Sequence, residues 1–150
     1  MHKQLGSLTL ILLLATSLYL RVSPNNPQTK MEKSQAVSFC QLFKESDSYL
    51  GKLVRIKVVW RLGHSFSYIY DPECEQRPSA WITFDREENL CEGTGNKLKG
   101  LNKEFYNETE LVAVGRLQRC VGGCGHSSAE DYKFVVTCLE EAKSINVNRP

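Results

Sequence analysis

Residues 120–126, Cys120-Val121-Gly122-Gly123-Cys124-Gly125-His126, carry the densest reactive chemistry in the chain. Two thiolates and an imidazole this close together can ligate zinc, which takes sulfur and nitrogen donors in a tetrahedral shell. The fourth ligand would come from Cys74, Cys91 or His64. The spacing is not that of a zinc finger, because no second close pair of ligands follows. The same cysteines can instead close a small disulfide loop, with the glycines permitting the tight backbone. A redox pair normally uses C-x-x-C at a helix N-terminus, and here the spacing is C-x-x-x-C in a glycine-rich segment. A Cys–His nucleophile needs a free thiol and a third orienting group, and oxidation removes the thiol. His126 then serves the loop, where its ring nitrogens can hydrogen-bond to nearby backbone.

A second constellation is the basic set Lys52, Arg55, Lys57 and Arg61, close in sequence to Trp60, Tyr68 and Trp81. Basic side chains interleaved with aromatic rings are what a single-stranded nucleic-acid groove uses. Alternation along a strand places Trp60 on the opposite face from Arg55, Lys57 and Arg61, which breaks that interleaving. The 19 Lys/Arg and 17 Asp/Glu leave a net charge of +2, too little for a strongly electrostatic nucleic-acid binder. Paired catalytic carboxylates, a phosphate-binding glycine loop and a serine elbow are not discernible. The sequence therefore assigns no catalytic residue and no cofactor, with zinc on Cys120, Cys124 and His126 as the alternative.

Two sets of elements must position these residues. The stretch from Leu53 to Leu62 alternates cleanly: Val54, Ile56, Val58 and Trp60 share one face, Arg55, Lys57 and Arg61 the other. Two further strands follow, one over Phe66–Tyr70 and one over Ala80–Phe84. A helix is expected over Lys97–Asn107, weakened by Gly100. A fourth strand runs from Glu110 to Leu117 with Gly115 at a bend, and a fifth from Tyr132 to Cys138. Cys120–Glu130 reads as a loop and Glu140–Ile145 as a terminal helical turn. Ahead of the first strand, Ser34 is expected to cap a helix reaching Lys44. Three strands, a helix and two strands is the order of an all-β, five-stranded OB-like barrel. The competing architecture is an open meander packed on the N-terminal helix.

The N-terminus combines Lys3, an apolar stretch from Leu8 to Leu14, and small residues Ala15 and Ser17 at a cleavage position. These are the parts of a secretory signal peptide. Residues 5–20 also read as an uncleaved anchor, although a spanning helix wants about 20 apolar residues. The expected organisation is a signal or anchor at 1–17, a linker at 18–33, the barrel at 34–146 and a tail at 147–150. Six cysteines in 150 residues agree with an exported chain, because disulfides persist in oxidising compartments. Asn107-Glu108-Thr109 matches an N-glycosylation sequon.

The segment Phe39-Cys40-Gln41-Leu42-Phe43, then Tyr49-Leu50-Gly51-Lys52-Leu53-Val54-Arg55, resembles a group of small exported bacterial proteins with OB-like barrels. Their pattern continues here as Tyr70-Asp71-Pro72-Glu73-Cys74, Trp81-Ile82-Thr83-Phe84, Val114-Gly115-Arg116-Leu117 and Gly123-Cys124-Gly125-His126. The resemblance spans roughly residues 36–143 and implies export and a barrel but no activity. Six cysteines allow fifteen pairings. Cys120 and Cys124 are local neighbours, and Cys91 and Cys138 can meet where the third and fifth barrel strands run side by side. Cys40 and Cys74 remain, and the resemblance favours that pair. The expectation is an exported, periplasmic or extracellular, non-catalytic binding module for a protein or a saccharide. It would present the loops His64–Ser67 and Cys120–Glu130, and it would meet a membrane only through an uncleaved residues 5–20.

Overall fold

The computed structural model describes residues 33–101, 108–126 and 128–145. The expected signal or anchor at 1–17, most of the expected linker, the second half of the expected Lys97–Asn107 helix, Asn107 of the sequon and the tail lie outside the described residues. In chain order the elements are β1 (Gln35–Ala36), α1 (Phe39–Lys44), α2 (Ser46–Tyr49), β2 (Leu53–Leu62), β3 (Ser67–Tyr70) and β4 (Ser79–Phe84). A short 3-10 turn (Glu87–Asn89), α3 (Thr94–Gly100), β5 (Glu108–Cys124) and β6 (Glu130–Ile145) follow. The sheet order is β1-β2-β3-β4-β6-β5, and β5 returns to pair with β2. Five strands thus close into a barrel, with β1 as an added strand and α3 between the third and fourth barrel strands. This is the OB-like all-β architecture that the strand order predicts.

The alternation of β2 becomes an inside and an outside. Val54, Ile56 and Val58 are buried, while Lys57 is exposed. Trp60 sits at the rim rather than deep in the core. Its indole N–H donates to Ser67 Oγ at 3.1 Å, and its ring meets Phe84 edge-on at 5.9 Å. An indole with a polar edge prefers such a half-buried place, where the N–H finds a partner. Phe39, Leu42, Ile69, Leu111, Leu117, Phe134, Val136 and Leu139 complete the core.

The bend expected at Gly115 is a break in the β5–β6 ladder, where the register shifts between Val114 and Gly115. A Cβ there would fall 2.3 Å from the Val135 carbonyl oxygen. The extra residue on β6 is Thr137, whose hydroxyl donates to the Val114 carbonyl at 3.2 Å. Bulges of this kind sharpen strand curvature, which a small barrel requires.

Four local expectations are corrected. The N-terminal helix starts after Ser38, not Ser34, and the Gln41 N–H donates to Ser38 Oγ at 3.2 Å. Gln35 and Ala36 are extended because they pair in parallel with Val54 and Arg55, satisfying backbone along the β2 edge. The middle helix begins at Thr94, whose buried hydroxyl accepts the Leu139 N–H at 3.0 Å and so ties α3 to β6. β5 runs on through the expected loop to Cys124. Finally, Glu140–Ile145 is strand, paired along Glu108–Val112, since a free neighbouring ladder outweighs a weak local helix preference.

Three cysteine pairs lie at disulfide distance. Cα separations are 5.4 Å for Cys40–Cys74, 5.0 Å for Cys91–Cys138 and 5.6 Å for Cys120–Cys124. All fall within the span a disulfide bridges. The first fastens α1 to the loop after β3, and the second fastens the segment before α3 to β6.

Ile56→Ala should destabilise the domain by about 2–5 kcal/mol in urea unfolding, through loss of buried methyl groups and the cavity left behind. Lys57→Ala should change stability by less than about 0.5 kcal/mol, because its pairing with Glu110 is exposed. Equal sensitivity would invert the assigned faces. Replacing Cys40 and Cys74 together by alanine should cost about 3–4 kcal/mol in the chain-entropy account of a loop this long. An unchanged urea midpoint would show that the pair is not bridged.

Candidate functional site

Strand pairing places a row of large polar and aromatic side chains across the outside of the barrel. Arg61 of β2 pairs with Tyr68 of β3, Tyr68 with Trp81 of β4, and Trp81 with Lys133 of β6. All four point outward because their neighbours Ile69, Ala80, Ile82 and Phe134 are buried. Phe66 and Tyr70 flank Tyr68 with ring centroids 5.6 and 6.0 Å away. Four adjacent strands therefore carry an aromatic platform with a cation at each end.

The Arg61 end is charge-paired within the fold, while its buried Nε has no hydrogen-bond partner among the described residues. Its guanidinium donates to the Tyr68 hydroxyl at 3.4 Å and lies 3.7 Å from the Glu108 carboxylate. Glu108 also accepts from the Tyr70 phenol. Burial, and then this hydrogen bond, push the Tyr70 phenol above the ordinary tyrosine range.

The Lys133 end is open. A cavity of about 410 Å³ is lined there by Trp81, Thr83, Arg119, Lys133 and, from the segment between them, Cys120, Val121 and Gly123 to Gly125. Gly125, at φ +80°, lies directly against the indole, so that a Cβ on it would come 2.4 Å from Trp81 Cε3. Only glycine accommodates both the backbone angle and the ring contact. The Cys120–Cys124 bridge gathers Val121, Gly122 and Gly123 into a protrusion on which Val121 is fully exposed. Arg119 donates to Asp47 at 2.7 Å and to the Tyr132 hydroxyl at 3.2 Å, and it lies over the Tyr132 ring. Lys133 makes no ion pair among the described residues. Hydrogen bonds from the Ser46 hydroxyl and the Arg119 guanidinium hold the Tyr132 phenol below the ordinary range.

A larger cavity, about 510 Å³, opens between β1, β2 and the loop after β3. Its cations are already compensated: Arg55 pairs with Glu140 at 2.6 Å and Lys57 with Glu110 at 3.7 Å. Asp71 and Glu73 add further negative charge to its wall. The larger cavity is thus charge-balanced, whereas Lys133 in the smaller one makes no ion pair among the described residues.

Cys120, Cys124 and His126, the alternative zinc set, do not form a close group of ligand atoms among the described residues, whereas the expected Cys120–Cys124 pair lies at disulfide distance. The two cysteines face each other at bridging distance, and a bridged sulfur is not a thiolate donor. His126 is exposed on the β5–β6 turn and does not line the cavity. His64 is exposed on the β2–β3 turn. Among the described residues, one group of metal-type ligand atoms lies close together, Cys40, Asp71 and Cys74, and its two sulfurs form the first disulfide.

The basic–aromatic interleaving that Trp60 seemed to break is present on other residues. Trp60 faces inward, while Tyr68 and Trp81 stand beside Arg61 and Lys133. The signal lay in Ile69, Ala80 and Ile82. As the aliphatic positions of their strands they must face the core, which turns the aromatic neighbours outward.

In an alkaline spectrophotometric titration of the folded chain, Tyr132→Phe should remove a phenol that ionises early. Tyr70→Phe should remove one that ionises late. A raised folded-state value means that the contribution of Tyr70 to stability is complete below the unfolded tyrosine value and is lost as pH rises through the folded one. Reversed order of the two phenols would overturn the assigned hydrogen bonding. Comparison with protein-family models, curated proteins and solved structures gives no match, so the reading of this face rests on its own geometry.

Proposed function

We propose that this domain is an exported, non-catalytic binding module that takes its ligand on the outer face of β3 and β4. The observation carrying the reading is the four-strand row Arg61, Tyr68, Trp81 and Lys133. OB-like barrels bind extended ligands on the corresponding strands, between the loops that join the first two and the last two strands. Here those loops follow Leu62 and Cys124, and the second rests on Trp81. Three disulfide pairs suggest an oxidising, extracellular-type environment. The signal-like N-terminus and the resemblance to small exported bacterial proteins support a periplasmic or secreted location.

A saccharide fits this face better than a protein strand. Between β3 and β6 every strand is paired on both sides, so no backbone edge is free for strand addition. Recognition must then come from side chains, and flat aromatic rings beside hydroxyl groups suit the apolar faces and polar rims of sugars.

Titrating the isotope-labelled full chain with soluble oligosaccharides and peptides, followed by NMR, tests the reading. Shifts should concentrate on the Trp81 indole and the amides of Tyr68, Tyr70 and Lys133. Shifts confined to the cavity beside Arg55 and Lys57 would relocate the site and overturn this reading, as would no shift with any ligand.

A further inference from the structure

We infer that the Trp81 end of this face takes an acidic sugar, with the pyranose ring against the indole and its carboxylate on Lys133. The inference rests on the proposed binding face and names the class of ligand that face selects.

The charge distribution carries it. The lining of the cavity, Trp81, Thr83, Arg119, Lys133 and residues of the Cys120–Gly125 segment, includes no carboxylate, and the Arg119 side chain pairs with Tyr132 on the opposite face from Lys133. Arg119 is committed to Asp47 and Tyr132. Lys133 is left with no anionic partner among the described residues. It stands directly beside Trp81 across the β4–β6 ladder, on the same face. Neighbouring strands are about 4.8 Å apart, so an ammonium on Lys133 reaches a group carried by a ring seated on the indole. Thr83, two residues along β4 on the same face, adds a hydroxyl to the wall.

The platform is also fixed before any ligand arrives. Gly125 holds the indole from the turn, and the Cys120–Cys124 bridge restrains the segment leading to it. A rigid aromatic ring loses little freedom on binding.

The same bookkeeping of charge argues against a nucleic acid. Phosphate backbones are held by several neutralising cations acting together. Along this row Arg61 is matched by Glu108, which leaves Lys133. One uncompensated ammonium suits a ligand with isolated carboxylates. The apolar side of a pyranose accounts for the indole, and its hydroxyls for Thr83 and Tyr68.

The test is isothermal titration calorimetry on the full chain at low salt. The probes are an oligogalacturonate, an oligoalginate, the methyl esters of both, and an oligothymidylate. At least one acidic oligosaccharide should bind, and its uncharged ester should bind about tenfold more weakly, as expected for one hydrogen-bonded charge pair. Lys133→Gln should erase the difference between acid and ester, and Lys133→Arg should keep it. Trp81→Ala should abolish binding of both forms while circular dichroism stays that of the wild-type chain. Equal binding of acid and ester would overturn the acidic-sugar inference and leave the binding face standing. Binding of oligothymidylate alone would overturn it in favour of nucleic acid. No binding of either acidic oligosaccharide would overturn it too, and the NMR titration with neutral sugars and peptides then decides the face separately.

Discussion

Pairing of Leu53–Arg61 with Glu108–Arg116 closes the barrel, and the rest of the structure depends on that seam. An open sheet of these five strands would leave the outer edges of β2 and β5 unpaired. Closure removes those edges and encloses one core, which Val54, Ile56 and Val58 enter from β2 and Leu111 and Ala113 from β5. Once β2 is fixed in that seam, its parity fixes the parity of β3, then of β4, then of β6. A slip of one residue anywhere would exchange the buried and exposed sets around the whole barrel. The outer row from Arg61 to Lys133 is thus a consequence of core packing on the inner face.

The seam also explains why the N-terminal segment adopts a different structure from the one its composition suggests. Gln35 and Ala36 have no strand pattern of their own, yet β2 offers them unpaired backbone beyond the reach of β3, and the Val37 N–H donates to the Arg55 carbonyl at 3.1 Å. Helix then starts where Ser38 can cap it, and Phe39 and Leu42 reach the core. Cys40 lies on the same helix and is drawn to Cys74 after β3. Backbone hydrogen bonding, side-chain capping and a covalent bridge therefore act in sequence over six residues.

Much of this was legible from sequence because β2, β3 and β4 carry their faces in plain alternation, and strand order alone indicated a barrel. The strand ends were not legible. Glu140-Glu141-Ala142-Lys143 has the composition of a helix, and only the presence of Glu108–Val112 alongside makes it strand. Thr94 carries no local sign that its hydroxyl will be needed by the Leu139 N–H. The candidate site was hidden for a related reason. Trp81 and Lys133 are far apart in sequence and meet through a parallel pairing, whose register no local pattern specifies. The small disulfide loop expected at Cys120 and Cys124 is at bridging distance, and what its sequence did not show is that the segment forms a cavity wall against Trp81.

That segment shows how an interruption in a ladder can build the wall of a cavity. The β5–β6 register runs evenly from Leu117 to Arg119 and then shifts before Cys124. The residues in between leave the ladder, and positive φ at Gly122 and Gly123 lets the chain turn out and back. The bridge from Cys120 to Cys124 joins the two ends of the excursion, so it cannot be absorbed by sliding one strand along the other. Bulges re-aim the chain beyond them. Here the re-aimed residue is Gly125, and it arrives on the Trp81 ring. The wall of the cavity is therefore made by backbone geometry. The side chains of Trp81, Thr83 and Lys133 remain free to face whatever enters.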